Sequence, residues 1–192
     1  VLKVSYAGEK GFEIHVHNNS MKKIYDELVQ HGENCNLIHF GMLALDSMRL
    51  EKNYRSWKSD LTSDYTMLQS GLEKWIKFDK GNFIGKEALK NEFDLGTSKK
   101  FVTLVVDDPE DNKPFGEPVY LSPVFAGDDY LGPIVSSGYG HRVKKSISMA
   151  ILDDRNLNGL NDQLYIDVLG RKRKAYIVNE ALYDPENLKL RS

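Results

Sequence analysis

The 192-residue chain has a single cysteine, Cys35, so no disulfide can form within it. That excludes a disulfide-stapled scaffold and makes a reducing, cytoplasmic setting the expectation. Excess basic charge is also missing: 26 Lys and Arg stand against 28 Asp and Glu, a formal net charge of −2. Nucleic acid is therefore not an expected partner, because its backbone calls for a positive field. No apolar run approaches the roughly 18–20 residues needed to cross a bilayer, so no membrane partner is expected. No signal peptide is expected, since Val1 opens directly on an alternating pattern. No Cys/His cluster has zinc-binding spacing, so no metal site is expected, and His15 and His17 read as one exposed strand face. Nucleophile-elbow, phosphate-loop and dinucleotide fingerprints are absent.

What is present is an ordinary folded composition, with 41% hydrophobic residues, in two differently patterned stretches. Residues 2–7 and 12–17 read as strands around a Gly8-Glu9-Lys10-Gly11 turn, with Glu9 solvated in the turn. Ser20 is a plausible N-cap for a helix over 21–31, with Ile24, Tyr25 and Leu28 at helical spacing. Leu37–Phe40 reads as a short buried strand or loop, and Met42–Lys52 as a helix with Leu43, Ala44, Ser47, Met48 and Leu50 inward. An aromatic and charged loop over 53–65 is long for a compact domain. A strand at 74–78 and a helix over 86–93 follow. The composition shifts at Gly96–Lys100, which places a boundary between domains 1–96 and 97–192. Beyond it, segments 100–106, 117–121, 131–136, 147–152, 163–168 and 173–178 alternate as short strands, the pattern of a small antiparallel barrel. The expected class is α+β, an α+β lobe followed by the barrel. Arg171–Lys174 reads as a solvated basic run at a hairpin, with an acidic tail or partner as the alternative.

Chemistry concentrates in Tyr6-Ala7-Gly8-Glu9-Lys10-Gly11-Phe12-Glu13. Its glycines permit a tight turn and close approach of a flat ligand. A glutamate at such a strand end can accept two parallel hydrogen bonds from a flat N–H/NH2 edge, as pterins and guanine-like rings present. A plain hairpin is the bland alternative.

The segment has company: Gly41-Met42-Leu43-Ala44-Leu45-Asp46-Ser47-Met48-Arg49-Leu50-Glu51-Lys52, then Tyr54-Arg55-X-Trp57-X-X-Asp60-Leu61-Thr62, Leu68-Gln69-Ser70-Gly71-Leu72 and Phe83-Ile84-Gly85-Lys86-Glu87-Ala88-Leu89. Near the C-terminus come Gly132-X-Ile134-Val135-Ser136-Ser137-Gly138-Tyr139-Gly140-His141 and Lys145–Ala150. In this order they resemble the folate-binding module of the glycine-cleavage T-protein (aminomethyltransferase) family. The Glu-Lys-X-Tyr-Arg-X-Trp version looks most like the module fused to flavin-dependent dimethylglycine and sarcosine dehydrogenases.

The resemblance implies a C-terminal portion of a longer protein, with about half of the first lobe and the family's catalytic aspartate upstream, and no activity in this stretch alone. It implies tetrahydrofolate as cofactor, a small-molecule amine donor, and an upstream flavin domain or a carrier protein as partner. It places the pterin-holding carboxylate on Glu13 and a pocket tyrosine on Tyr6, seven residues earlier. Tyr54, Arg55 and Trp57 would wall the cavity, and Arg142, with Tyr139 and His141 beside it, would meet the acidic folate tail. Ordinary core or interdomain packing is the alternative for these aromatics, and Arg49 and Glu51 read as structural. Two departures stand out: Leu45 replaces an Arg that contributes to folate binding, and Gln69 replaces a Glu. Leu45 favours the tail of a flavin-linked dehydrogenase, and both departures support a non-catalytic folate-binding or assembly protein; a demethylase of the same fold acting on a sulfonium or methoxy compound is a further alternative.

Overall fold

The computed structural model describes residues 1–107, 117–154, 157 and 164–192. The first part is helical: α1 (Asn18–Gly32), α2 (Met42–Glu51) and α3 (Lys86–Leu95), joined by loops and short 3-10 turns at Glu33–Cys35 and Glu73–Trp75. A closed, wholly antiparallel barrel follows, built among the described residues from β1 (Lys99–Val106), β2 (Pro123–Ala126), β3 (Asp129–Gly140), β4 (Lys145–Asp153), β5 (Leu164–Val168) and β6 (Arg171–Val178). Around the barrel the order is β1-β4-β3-β2-β5-β6. A last turn of helix, α4 (Leu188–Arg191), closes the chain.

The barrel follows from alternation. Successive side chains on a strand point to opposite faces, so Ala150 and Leu152 of β4 enter the barrel interior with Leu104, Val124, Ile134 and Ile166. Ile147, Met149 and Ile151 point outward, yet they too are buried, in a second cluster with Leu50 of α2, Phe101 and Val135. One strand is thus a wall of two cores. At Gly132, φ is 153° and a Cβ would lie 2.2 Å from the Ile151 carbonyl oxygen, so only glycine lets β3 approach β4 there.

A bulge in β3 sets up the contact with the helical part. Ile134 pairs with Ala150, but Ser136 pairs with Met149, leaving Val135 as the extra residue. Without it Ser136 would point inward like Ile134; with it Ser136 joins the outward face of Met149. There Ser136 Oγ donates to Asp60, and Arg49 donates to Ser136 Oγ at 2.8 Å and to Asp60 Oδ2 at 2.7 Å. Arg49 also reaches Asp46 at 2.7 Å and the Tyr54 carbonyl, while the Ser56 N–H donates to Asp60. Asp60 is fully buried and Arg49 nearly so.

Several sequence expectations need correction. Segments 2–7 and 12–17 are not strands; they meet only at one antiparallel bridge, Leu2 with Glu13. Two segments alone bury too little to hold a ladder. The 74–78 stretch contains a 3-10 turn instead of a strand. Helix α1 is capped by His17, whose ring nitrogen accepts from the Asn19 N–H, and not by Ser20; it buries no side chain. Leu37, Ile38 and Phe40 are exposed, as is Leu43 of the expected inner face of α2. The second barrel strand lies at Pro123–Ala126, not 117–121: Leu121 takes a left-handed φ of 68° that breaks an extended run. Residue 163, expected in β5, lies outside the described residues. Arg173, in the run read as solvated, is buried, and its Nε donates to the Asp107 carbonyl.

Removing one member of the Arg49–Asp60 pair strands a buried charge. Asp60→Ala is expected to lower stability by about 3–5 kcal/mol, and Ser136→Ala by about 1 kcal/mol. Urea denaturation of both variants measures this.

Candidate functional site

Four consecutive residues at the end of α2 project at about 100° intervals and fasten four parts of the chain. Arg49 takes the Asp60 loop and β3, as described, and Leu50 enters the outer barrel cluster. Glu51 accepts from the Arg142 and Val143 N–H groups in the β3–β4 turn. Lys52 runs the other way, to the C-terminal tail. Its ammonium donates to the Asp184 carbonyl at 2.6 Å, the Asp184 carboxylate at 3.2 Å and Asn187 Oδ1 at 2.8 Å.

On its way the Lys52 stem packs under the Gly8 turn. Gly8 has φ 79°, and a Cβ there would fall 2.1 Å from Lys52 Cγ. The neighbouring Glu9 is not solvated as expected. It accepts from the Arg142 guanidinium and from the Tyr183 hydroxyl at 2.6 Å. Arg142 also lies over the Tyr183 ring, 4.1 Å from its centroid. The Lys52 ammonium sits 5.9 Å from the ring centroids of both Tyr183 and Tyr54. Tyr54 in turn stacks on Tyr6 at 6.2 Å and 15°, and the Tyr6 hydroxyl donates to the Arg55 carbonyl. Tyr6, Tyr54, Lys52, Tyr183, Arg142 and Glu9 thus form one continuous row of rings and charges.

Burial pushes the Tyr6 and Tyr54 phenols above their ordinary pKa, which keeps both neutral hydrogen-bonding rings. The hydrogen bonds from Tyr183 and then Arg142 pull the Glu9 carboxyl below its ordinary range. Burial raises Asp184, but the Lys189 N–H, Lys52 and the Leu188 N–H outweigh it, and the net shift is downward.

Of the residues expected at the site, Tyr6 and Tyr54 lie together, and Arg142 reaches them through Tyr183 and Lys52. Glu13 is largely exposed, pairs with His15 at 3.1 Å, and holds the Leu2 bridge. Trp57 stands apart: it is 76% exposed and lines an apolar groove of about 530 Å³ with Leu61, Tyr65, Met67 and Leu72. Leu45 is half-buried and offers no hydrogen bond to a ligand. Gln69 donates to Ser98 Oγ and accepts from the Thr66 N–H, while its carbonyl receives the Phe101 N–H, so it ties the loop to β1. Among the described residues no group of His, Cys, Asp and Glu could hold a metal, and no helix is long and apolar enough to cross a membrane. The sequence reading overlooked Lys52, Tyr183 and Asp184. The one available signal was three charged residues, Arg49, Glu51 and Lys52, crowded at the end of an apolar helix; the returning tail lies 132 residues away.

Comparison with known proteins agrees with this two-part fold. Residues 1–80 match the GCVT N-terminal domain, and residues 99–184 match the glycine cleavage T-protein C-terminal barrel domain. The chain belongs to the glycine cleavage T-protein family. Relatives include an aminomethyltransferase of Thermoanaerobacter sp. (strain X514), 30% identical over 95% of this chain and 48% of its own length. The mitochondrial dimethylglycine dehydrogenases of Mus musculus and Homo sapiens are each 30% identical over 94% of this chain and 20% of theirs. The chain therefore spans about half the length of such T-protein-family aminomethyltransferases and a fifth of the dehydrogenases. The crystal structure of the glycine cleavage system aminomethyltransferase T from Bartonella henselae shares the fold, with a TM-score of 0.80, 20% identity, and coverage of 95% of this chain and 49% of that one.

The clasp on the tail should titrate. Glu9 and Asp184 have lowered folded pKa values, so their contribution is complete above the unfolded carboxylate range and is lost as pH falls through the lowered values. Wild type is expected to melt above the Glu9→Gln/Asp184→Asn double variant at neutral pH, with the gap closing in acid. Thermal denaturation across pH measures it; a gap that widens in acid would reverse the sign.

Proposed function

We propose that this T-protein-family chain supplies the tetrahydrofolate-holding part of a one-carbon transferase, which moves a one-carbon unit from an amine donor to tetrahydrofolate. The observation that carries this reading is the stack of Tyr6, from the segment that also carries Glu13, on Tyr54 of the loop after α2, within a chain that matches both T-protein domains in order.

The residues fit a pterin. Among the described residues the Glu13 carboxylate pairs only with the exposed His15, through Oε2, so an incoming ring with two adjacent donors has only that solvent-facing contact to displace. Tyr6 and Tyr54 offer flat, neutral rings whose shared stack resists tilting. Lys52 and the Glu9–Arg142 pair fix the turn that carries this segment. Tetrahydrofolate, when bound, supplies the nucleophilic nitrogen that takes up the one-carbon unit. The chain's contribution is to orient that ring and keep water from the transferred group.

Leu45 favours a second reading, in which the chain is the folate-binding tail of a flavin-linked dimethylglycine or sarcosine dehydrogenase. A flavin absorbance spectrum of the purified full-length protein separates the two.

Calorimetry of tetrahydrofolate binding to the full-length protein tests the site itself. Glu13→Gln is expected to weaken binding about tenfold or more, equivalent to about 1.4 kcal/mol, and Tyr6→Phe to weaken it less. Unchanged affinity in Glu13→Gln would remove Glu13 from the site.

A further inference from the structure

A separate cavity of about 740 Å³ opens where the loop after α2, helix α3 and barrel strands β1 and β6 meet. None of Tyr6, Glu13, Tyr54, Trp57 or Arg142 lines it. Arg55 does. Its guanidinium carbon lies 4.3 Å from the centroid of the Phe101 ring, which fixes the plane of the fork. One terminal nitrogen comes so close to Gly71 that a Cβ there would sit 2.6 Å away; Gly71, at φ 64°, leaves the space.

This cation has no hydrogen-bonded counterpart. The Arg55 Nε is buried and unpartnered, and among the described residues no protein group accepts from the rest of the guanidinium. The carboxylates lining the cavity are otherwise engaged or act at longer range. Glu92 accepts from the Thr66 hydroxyl and Asp154 from the Thr97 hydroxyl, while Glu73 influences Arg55 only through its field. Thr103 donates to the Asn53 side-chain carbonyl, which leaves the Asn53 NH2 as a further donor on the wall. Burial lowers the Arg55 pKa, a sign of a cation short of solvation that an incoming anion would restore.

We propose that this cavity binds a small organic monocarboxylate, its carboxylate on the Arg55 fork and its apolar body against Leu68, Phe93 and Ile177. A planar guanidinium fork matches a carboxylate through two parallel hydrogen bonds. Phosphate shares that fit but carries up to two charges, and on these walls Glu73, Glu92 and Asp154 offset Arg55, Lys74 and Lys100, which leaves no net positive charge to favour a dianion over a monoanion.

Calorimetry of the full-length protein with benzoate, benzylamine and inorganic phosphate tests this. Benzoate is expected to bind in the millimolar range or tighter, with benzylamine silent, phosphate weaker and saturating tetrahydrofolate without effect. Arg55→Lys keeps the charge but loses the fork, and is expected to weaken benzoate about tenfold. Asn53→Asp serves where Arg55→Lys fails to fold: it retains the acceptor for Thr103, adds a negative charge to the wall, and is expected to weaken benzoate too. No benzoate binding, binding indifferent to both substitutions, phosphate binding tighter than benzoate, or displacement by tetrahydrofolate would each overturn the proposal.

Discussion

The buried pair of Arg49 and Asp60, closed by Ser136, is the contact on which the arrangement depends. Buried charges are tolerable only when every donor and acceptor is met, and here they nearly are: Arg49 has partners on α2, the following loop and β3. The pair therefore fixes distance and rotation between α2 and the barrel wall. Once α2 is seated, Glu51 meets the β3–β4 turn and Lys52 meets the tail without further adjustment. The apolar cluster around Leu50 contributes area; the ion pair decides the angle.

This geometry makes the Gly8 turn a dependent structure. The turn lies in the segment with little regular hydrogen bonding of its own, one bridge between Leu2 and Glu13. It is held from below by the Lys52 stem and from the side by Arg142 and Tyr183. The tyrosine stack that begins there inherits its position from α2 and the barrel. This gives the barrel a defined part: it does not enclose the Tyr6–Tyr54 stack but props the turn from which that stack begins.

The barrel was largely legible in the sequence, because a period of two survives even where both faces are buried, as in Ser146–Leu152 of β4. The exception was β2. Val119-Tyr120-Leu121 looks like a strand by composition, while Pro123 argues against one; in fact Pro123 occupies the first strand position, where its missing N–H costs nothing. The helices of the first part were also legible, but their packing was not. Ile24, Tyr25 and Leu28 have the spacing of a buried stripe, yet among the described residues no element packs closely enough on α1 to bury a side chain of it. For the site, the family motifs pointed to Glu13, Tyr6, Tyr54, Trp57 and Arg142; the structure gathers Tyr6, Tyr54 and Arg142 into one row and leaves Glu13 and Trp57 outside it. The crowded charges at the end of α2 marked Lys52 as unusual, but its partners were not legible: the contacts of Lys52 and Tyr183 join residues more than 100 positions apart, and nothing local announces such pairs.

The extra residue in β3 gives the strand an uneven tolerance to change. Val135 touches the outer cluster, so another aliphatic side chain of its size would serve. Its presence is another matter. Every residue from Ser136 onward owes the face it occupies to that one added position. Relatives should therefore diverge in spelling at this point while keeping the count, and a length change here would exchange the inside and outside of half a strand.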